Sequence, residues 1–152
     1  MLKKVESSHL KMILKWRNSD EVRKASLDSS VILEADHYHW WSGYLKDPRK
    51  NAYIYSVDGV DLGIISWVVD QGAGCAVWSF YLSPEAPRGM GHGQNMLKEG
   101  LGVIFSDEKI SEVVGIVLLS NEPSIQLHKK LGFQLISPKT GSEDRLQFRL
   151  ER

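Results

Sequence analysis

The chain has 152 residues, 42% of them hydrophobic and 25% charged, the make-up of an ordinary globular protein large enough to bury a core, most simply one domain over residues 1–152. Lys plus Arg and Asp plus Glu both total 19, so the formal net charge is zero, which speaks against a dedicated nucleic-acid binder. A single cysteine, Cys75, rules out an internal disulfide and a cysteine-rich metal site; with no signal-like leader and no run of about 18 apolar residues, a cytoplasmic protein without membrane contact is expected.

Ser7 or Ser8 can cap a short helix through Trp16, with Leu10, Ile13 and Leu14 on one face. Trp16-Arg17-Asn18-Ser19-Asp20 reads as a polar turn, followed by a short helical piece over 20–25. Residues 32–46 read as a helix ending before Asp47-Pro48, with His37, Trp40, Trp41 and Tyr44 on one broad face. Of the Trp40/Trp41 pair, Trp41 is the one expected in the core. Residues 52–57 and 61–69 form strands joined by the hairpin signal Asp58-Gly59, and a turn over 70–74 leads to a third strand at 75–82.

Ser83-Pro84 stops that strand, and Arg88-Gly89-Met90-Gly91-His92-Gly93 opens a helix to about Ser106. Val113 begins a near-continuous apolar run to Leu119, suited to a buried strand parallel to its neighbour across the helix. Asn121 can cap the next helix, with Pro123 in its first turn and Gly132 past its end. Residues 133–136 and 145–150 read as two last strands around a polar turn at 137–144. The whole is a mixed α/β domain with helices covering a central sheet.

A glycine-rich turn between a strand and a helix can hold a phosphate, because the first amides of a helix lack intrahelical partners and the helix dipole adds positive charge. The alternative is an ordinary helix start that happens to be rich in glycine. The turn gains meaning from Asn121 to Gly132-Phe133 downstream, about 30 residues on. Together the two stretches resemble the GNAT superfamily of acetyl-CoA-dependent N-acetyltransferases, whose cofactor motif Gln/Arg-x-x-Gly-x-Gly/Ala is matched by residues 88–93. That resemblance implies the acyl-CoA N-acyltransferase fold, with a mixed sheet of six to seven strands and helices on both faces. It also implies acetyl-CoA as co-substrate, no metal, and dimer contacts built from the late turn and last strands. Within the superfamily, Trp16-Arg17-Asn18, His37-x-x-Trp40 and Asp61-Leu62-Gly63-Ile64-Ile65-Ser66 resemble the N-acetyltransferases of pseudaminic acid biosynthesis. Those act on the 4-amino group of a UDP-linked 4-amino-4,6-dideoxy sugar, in bacterial flagellin glycosylation or surface-polysaccharide synthesis. Ribosomal-protein N-terminal acetyltransferases share part of the layout, so a protein N-terminus or another small amine stays open as acceptor, as does a CoA-binding module without catalysis.

Carried over residue by residue, the resemblance places the cofactor on Arg88, Gly89, Met90, Gly91, His92 and Gly93, with Asn121 and Ser124 adding caps and hydrogen bonds. It places the oxyanion on a backbone N–H at the end of the third long strand, with Tyr81, Leu82 and Ser83 the candidates and Leu82 the carry-over. His128 stands where many members carry a tyrosine proton donor; it could protonate the leaving thiolate, only hydrogen-bond the sulfur, or lie on the surface beside Lys129 and Lys130. Ser66 could relay a proton from the amine or be a plain strand serine. Arg17 could bind a phosphate or pair with Asp20 or Glu21; Asn18, His37 and Trp40 complete the expected acceptor site. Cys75 reads as a small buried residue, and His37-x-His39 lacks the spacing of a metal site.

Overall fold

The computed structural model describes residues 1–136 and 144–152. In chain order the elements are β1 (Leu2–Lys4), α1 (Leu10–Arg17), α2 (Asp20–Ala25), α3 (Glu34–Lys46), β2 (Lys50–Val57), β3 (Val60–Asp70), β4 (Cys75–Leu82), α4 (His92–Phe105), β5 (Glu112–Leu118), α5 (Glu122–Lys130), β6 (Gln134–Ile136) and β7 (Arg145–Glu151). The strands form one seven-stranded sheet in the order β1-β2-β3-β4-β5-β7-β6. Every neighbouring pair is antiparallel except β4 and β5, which are parallel because α4 carries the chain back across the sheet.

Local chemistry accounts for most of these elements. Asp58 and Gly59 both take positive φ, 51° and 79°, which suits the tight β2–β3 hairpin. Asn121 caps α5, its side-chain oxygen accepting from the Ser124 N–H at 3.3 Å, with proline in the first turn. The first helix begins differently from expectation. A 3₁₀ turn over Ser7–His9 precedes α1, and the cap is Glu6, whose N–H donates to His9 Nδ1 at 2.9 Å. The third helix starts at Glu34 rather than residue 32. Strand β1 escapes sequence reading because three residues, two of them lysines, carry no alternation; it is specified only by pairing with Tyr53–Tyr55 of β2. The expected late turn at 137–144 falls almost entirely outside the described residues.

Strand alternation divides the core in two. On one face Ile65, Trp67, Ala76, Trp78 and Val113 pack against Met96, Leu97 and Ile104 of α4 and Ile125 of α5. On the other, Ala52, Ile54 and Ile64 pack against Leu10, Ile13 and Trp16 of α1 and Trp41 and Tyr44 of α3. Each fully buried aliphatic side chain contributes about 1.5–3 kcal/mol of transfer free energy. Trp41 lies in this second core at 6% exposure, whereas Trp40 is 56% exposed. The broad face read from the sequence is therefore narrower: His37, Trp41 and Tyr44 turn inward and Trp40 sits at the rim.

Candidate active site

The site is built where the sheet stops being a sheet. The β4–β5 ladder runs only from Cys75↔Glu112 to Trp78↔Gly115, although β4 continues to Leu82 and β5 to Leu118. Beyond that last pair β4 stays with β3, to Gly63↔Leu82, and β5 stays with β7, to Leu118↔Arg145. A gap opens between them. Its donors follow from alternation: the Ser83 N–H donates to the Leu62 carbonyl at 2.8 Å, toward β3. Every second residue of an antiparallel strand faces the same partner, so the Leu82 and Phe80 N–H groups aim the other way, into the gap. Leu82 is the donor expected from the resemblance; Phe80 is a second one that the sequence does not disclose.

The glycine turn lies at the end of β4. Gly89 and Gly91 have φ of 73° and 78°, values that a side-chain-bearing residue rarely takes. Gly91 is the N-cap of α4, and its carbonyl accepts the Asn95 N–H at 3.0 Å. The amides of His92, Gly93 and Gln94 are therefore the orphan donors of a 14-residue helix, which could hold an anion. Met90 stands out at 66% exposure, and the His92 ring turns inward to lie edge-on to Tyr55 at 6.1 Å. Arg88 pairs with Glu21 of α2, an exposed ion pair that occupies the guanidinium expected to face a phosphate.

A cleft of about 740 Å³ joins these parts, reaching from Arg88 and Gly93 past Leu82 and Gly115 to Asn121 and Ser124. It runs into a second cleft of about 460 Å³ on the α1/α3 side of the sheet; Arg17, Trp40, Ser66, Ser79 and Phe80 line both. The second cleft also holds two carboxylates, Asp28 and Asp36, that sequence reading missed. Nothing in their local pattern marks them; the fold of 26–36 over the sheet brings them there. Asp28 Oδ1 accepts from the Ser30 N–H and hydroxyl, and those bonds hold its carboxyl below the usual range.

The expected acceptor residues divide. Arg17 donates through Nη2 to the Asp28 carbonyl, and its Nη1 is buried with no partner among the described residues. It pairs with neither Asp20 nor Glu21. Trp40 offers an exposed ring, stacked on Tyr44 at 4.9 Å. Asn18 is committed to structure, its amide donating to the Ile32 carbonyl and accepting the Ile32 N–H, both at 2.8 Å. His37 is 3% exposed and its Nε2–H donates to the Leu10 carbonyl at 2.7 Å, tying α3 to α1. Both commit polar atoms to the backbone; Asn18 lines neither cleft, which corrects its expected acceptor contact, whereas the His37 ring borders the second cleft. Burial also holds the His37 ring below its usual range, so it stays neutral.

Ser66 is half-buried opposite Ser79 on β4, and its hydroxyl lies 3.5 Å from the Ser79 carbonyl. Tyr44 beside it donates to the Asn51 carbonyl at 2.7 Å, and burial pushes its hydroxyl up to about 12. Cys75, half-buried at the start of β4, has its thiol pushed up to about 11 by burial, which keeps it protonated and unreactive.

His128 departs most from expectation. It is 1% exposed, away from the surface and packed into the wall of the larger cleft. The Trp78 indole N–H donates to its Nε2 at 3.0 Å, and its Nδ1–H donates to the Ser124 carbonyl at 2.7 Å. An indole nitrogen only donates and a carbonyl only accepts, so the ring is the neutral Nδ1–H tautomer. Burial lowers its proton affinity. The only ring proton is already donated, and the other nitrogen accepts. His128 therefore has no proton to offer a leaving thiolate, which corrects the general-acid expectation.

The acetyltransferase (GNAT) domain family matches residues 1–134. The chain belongs to the GNAT family. It is an acetyl-CoA-dependent N-acetyltransferase of that type. No curated protein matches it. Among solved structures, spermidine N-acetyltransferase from Vibrio cholerae, in complex with CoA and spermine, is similar over 99% of this chain and 94% of that one, at 12% identity and a TM-score of 0.90. Aminoglycoside acetyltransferase AAC(6')-Ib in complex with coenzyme A is similar over 100% and 94%, at 18% identity and a TM-score of 0.87. Ribosomal-protein-alanine N-acetyltransferase from Brucella melitensis is similar over 100% and 99%, at 17% identity and a TM-score of 0.79. At such identities the likeness speaks to the GNAT fold, and the acceptor has to be argued from the cleft.

Proposed function

We propose that this GNAT enzyme acetylates the primary amine of a small acceptor that also carries an anionic group, best matched by a nucleotide-linked amino sugar such as a UDP-4-amino-4,6-dideoxy sugar of bacterial surface-glycan or flagellin glycosylation. The observation that carries this reading is Arg17 Nη1. It is a charged donor, buried in the acceptor cleft and without a partner among the described residues. A buried unpaired guanidinium N–H is costly, so a phosphate oxygen is the natural complement. Asp28 and Asp36 would attract the ammonium end, and the exposed Trp40 ring would stack on a sugar or base.

In this reading the amides at Gly91–Gly93 and the dipole of α4 hold the pyrophosphate of acetyl-CoA, with Asn121 and Ser124 bordering the same cleft. The gap between β4 and β5 receives the thioester. The Leu82 and Phe80 N–H groups stabilise the carbonyl oxygen as the neutral amine attacks. The new C–N bond forms and the C–S bond breaks. Ser66 passes the amine's proton to water, and the thiolate is protonated by solvent, since His128 holds no spare proton.

Thiol release from acetyl-CoA tests this, with UDP-4-amino sugars, aminoglycosides, spermidine and N-terminal peptides as acceptors. Turnover with the nucleotide sugar is expected, and Arg17→Ala should raise its KM by about 10- to 100-fold, the value of a lost charged hydrogen bond. Equal turnover of acceptors lacking an anion would discard the reading. A second reading, a polycationic amine, is favoured by the two carboxylates Asp28 and Asp36 facing a single guanidinium; turnover of spermidine with no effect of Arg17→Ala would select it.

A further inference from the structure

The gap needs something that decides where β4 leaves β5, and the pairing alone does not supply it. Three residues meet at that point. Trp78 and Gly115 are the last paired residues. His128 from α5 lies directly on Gly115: a Cβ there would sit 2.3 Å from His128 Nε2 and 2.8 Å from Trp78 Nε1. Only glycine leaves room for an imidazole so close to the β5 backbone. The ring is then fixed at both nitrogens, by Trp78 of β4 and by the Ser124 carbonyl in the first turn of α5. It also stacks on Phe148 of β7 at 5.1 Å and meets Phe133 edge-on at 4.9 Å. One side chain thus ties β4, β7 and α5 together over β5, at the apex of the gap.

We infer that His128 is a positioning residue: with Trp78 and Gly115 it forms a lock that sets the apex of the β4–β5 gap and so the aim of the Phe80 and Leu82 N–H groups. The inference rests on the reading that the thioester lies in this gap. The lock works only with a neutral ring. Protonation at Nε2 would set an N–H against the indole N–H, two donors face to face. The groups packed on the ring are Trp78 and Phe80 of β4, Gly115 of β5, Ser124 of α5, Phe148 of β7 and Phe133 before β6, all uncharged. The pH dependence therefore has a sign opposite to that of a proton donor. A donor loses activity as pH rises through its pKa, whereas the lock loses it as pH falls below the usual histidine range.

The test compares His128→Gln, His128→Phe and Trp78→Phe. Glutamine can accept from Trp78 and donate to the Ser124 carbonyl but cannot titrate. His128→Phe and Trp78→Phe should each lower kcat by about 10- to 100-fold, the scale of a small misplacement of reacting groups, with the KM for acetyl-CoA little changed because the glycine turn is untouched. His128→Gln should keep most of the activity and lose the acid limb. Amide hydrogen exchange over the last β4–β5 pairs, at positions 77–78 and 114–115, should quicken in the first two variants and not in His128→Gln, and that readout does not depend on the acceptor. Loss of activity in His128→Gln with normal Trp78→Phe would make His128 an acid and overturn the inference. Unchanged exchange and kcat in Trp78→Phe would also overturn it. Altered exchange without turnover of any acceptor would uphold the lock and fail the proposed function instead.

Discussion

Gly115→Ala puts the lock under direct load. The added Cβ would meet His128 Nε2 at 2.3 Å, His128 Cδ2 at 3.0 Å and Trp78 Nε1 at 2.8 Å. Ordinary contact between such atoms is about 3.5–4.0 Å, so the imidazole would have to retreat by roughly 1 Å or more. It has nowhere to go: the ring is 1% exposed and backed by Phe148 and Phe133. Overpacking of this kind costs about 1–3 kcal/mol, and breaking the Trp78–His128 hydrogen bond adds about 1 kcal/mol. A destabilisation of about 2–4 kcal/mol in a chain of this size lowers Tm by about 5–15 °C. Calorimetry of the purified protein reads it, with Gly102→Ala as control. Gly102 lies within α4, and a methyl group there would find nothing within 4 Å, so alanine should be neutral or stabilise by about 0.5–1 kcal/mol. A Gly115→Ala protein that melts within about 2 °C of the parent would refute the reasoning, since the ring would then have had slack that the packing denies it.

Acidification should weaken the fold through the two buried histidines. Burial lowers the proton affinity of both His37 and His128, so the unfolded chain binds protons more readily than the folded one. Their contribution is complete above the usual histidine value of 6.5 and is lost as pH falls through the lower folded values. Urea unfolding at pH 7.5 and 5.5 should show this loss, and His37→Gln should shrink it. Glu21→Gln frees Arg88 from its exposed partner. Acetyl-CoA binding followed by calorimetry should tighten by up to about fivefold, the value of a surface pair; weaker binding would show that Glu21 does not compete with the cofactor. Asn121→Ala removes the cap of α5 and should cost about 1 kcal/mol in thermal unfolding, with little effect on acceptor KM.

The glycine turn was legible from sequence because its chemistry is local. A left-handed φ at Gly89 and Gly91, a strand before and a helix after are all written in adjacent residues. The same holds for the Asn121 cap, the Asp58-Gly59 hairpin and the parallel placement of β5, which a crossover helix imposes. The choice of Trp41 over Trp40 as the core tryptophan also matches the structure.

What sequence alone determined, then, is the order of elements from α1 onward, the GNAT family and the place of the glycine turn, because each depends on short-range backbone preference and hydrophobic period. Tertiary structure alone decided the roles of single side chains. His37, Asn18 and His128 carry groups that suit ligand or proton transfer, and all three are spent on internal hydrogen bonds with partners 27, 14 and 50 residues away or on their own helix. Asp28 and Asp36 enter the cleft on the α1/α3 side of the sheet without any local mark. The Phe80 and Leu82 N–H groups face the gap because β4 leaves β5 after Trp78, at the point where an imidazole from α5 rests on Gly115. A polar side chain's role is set by which partner reaches it first in space, and spacing along the chain does not encode that distance.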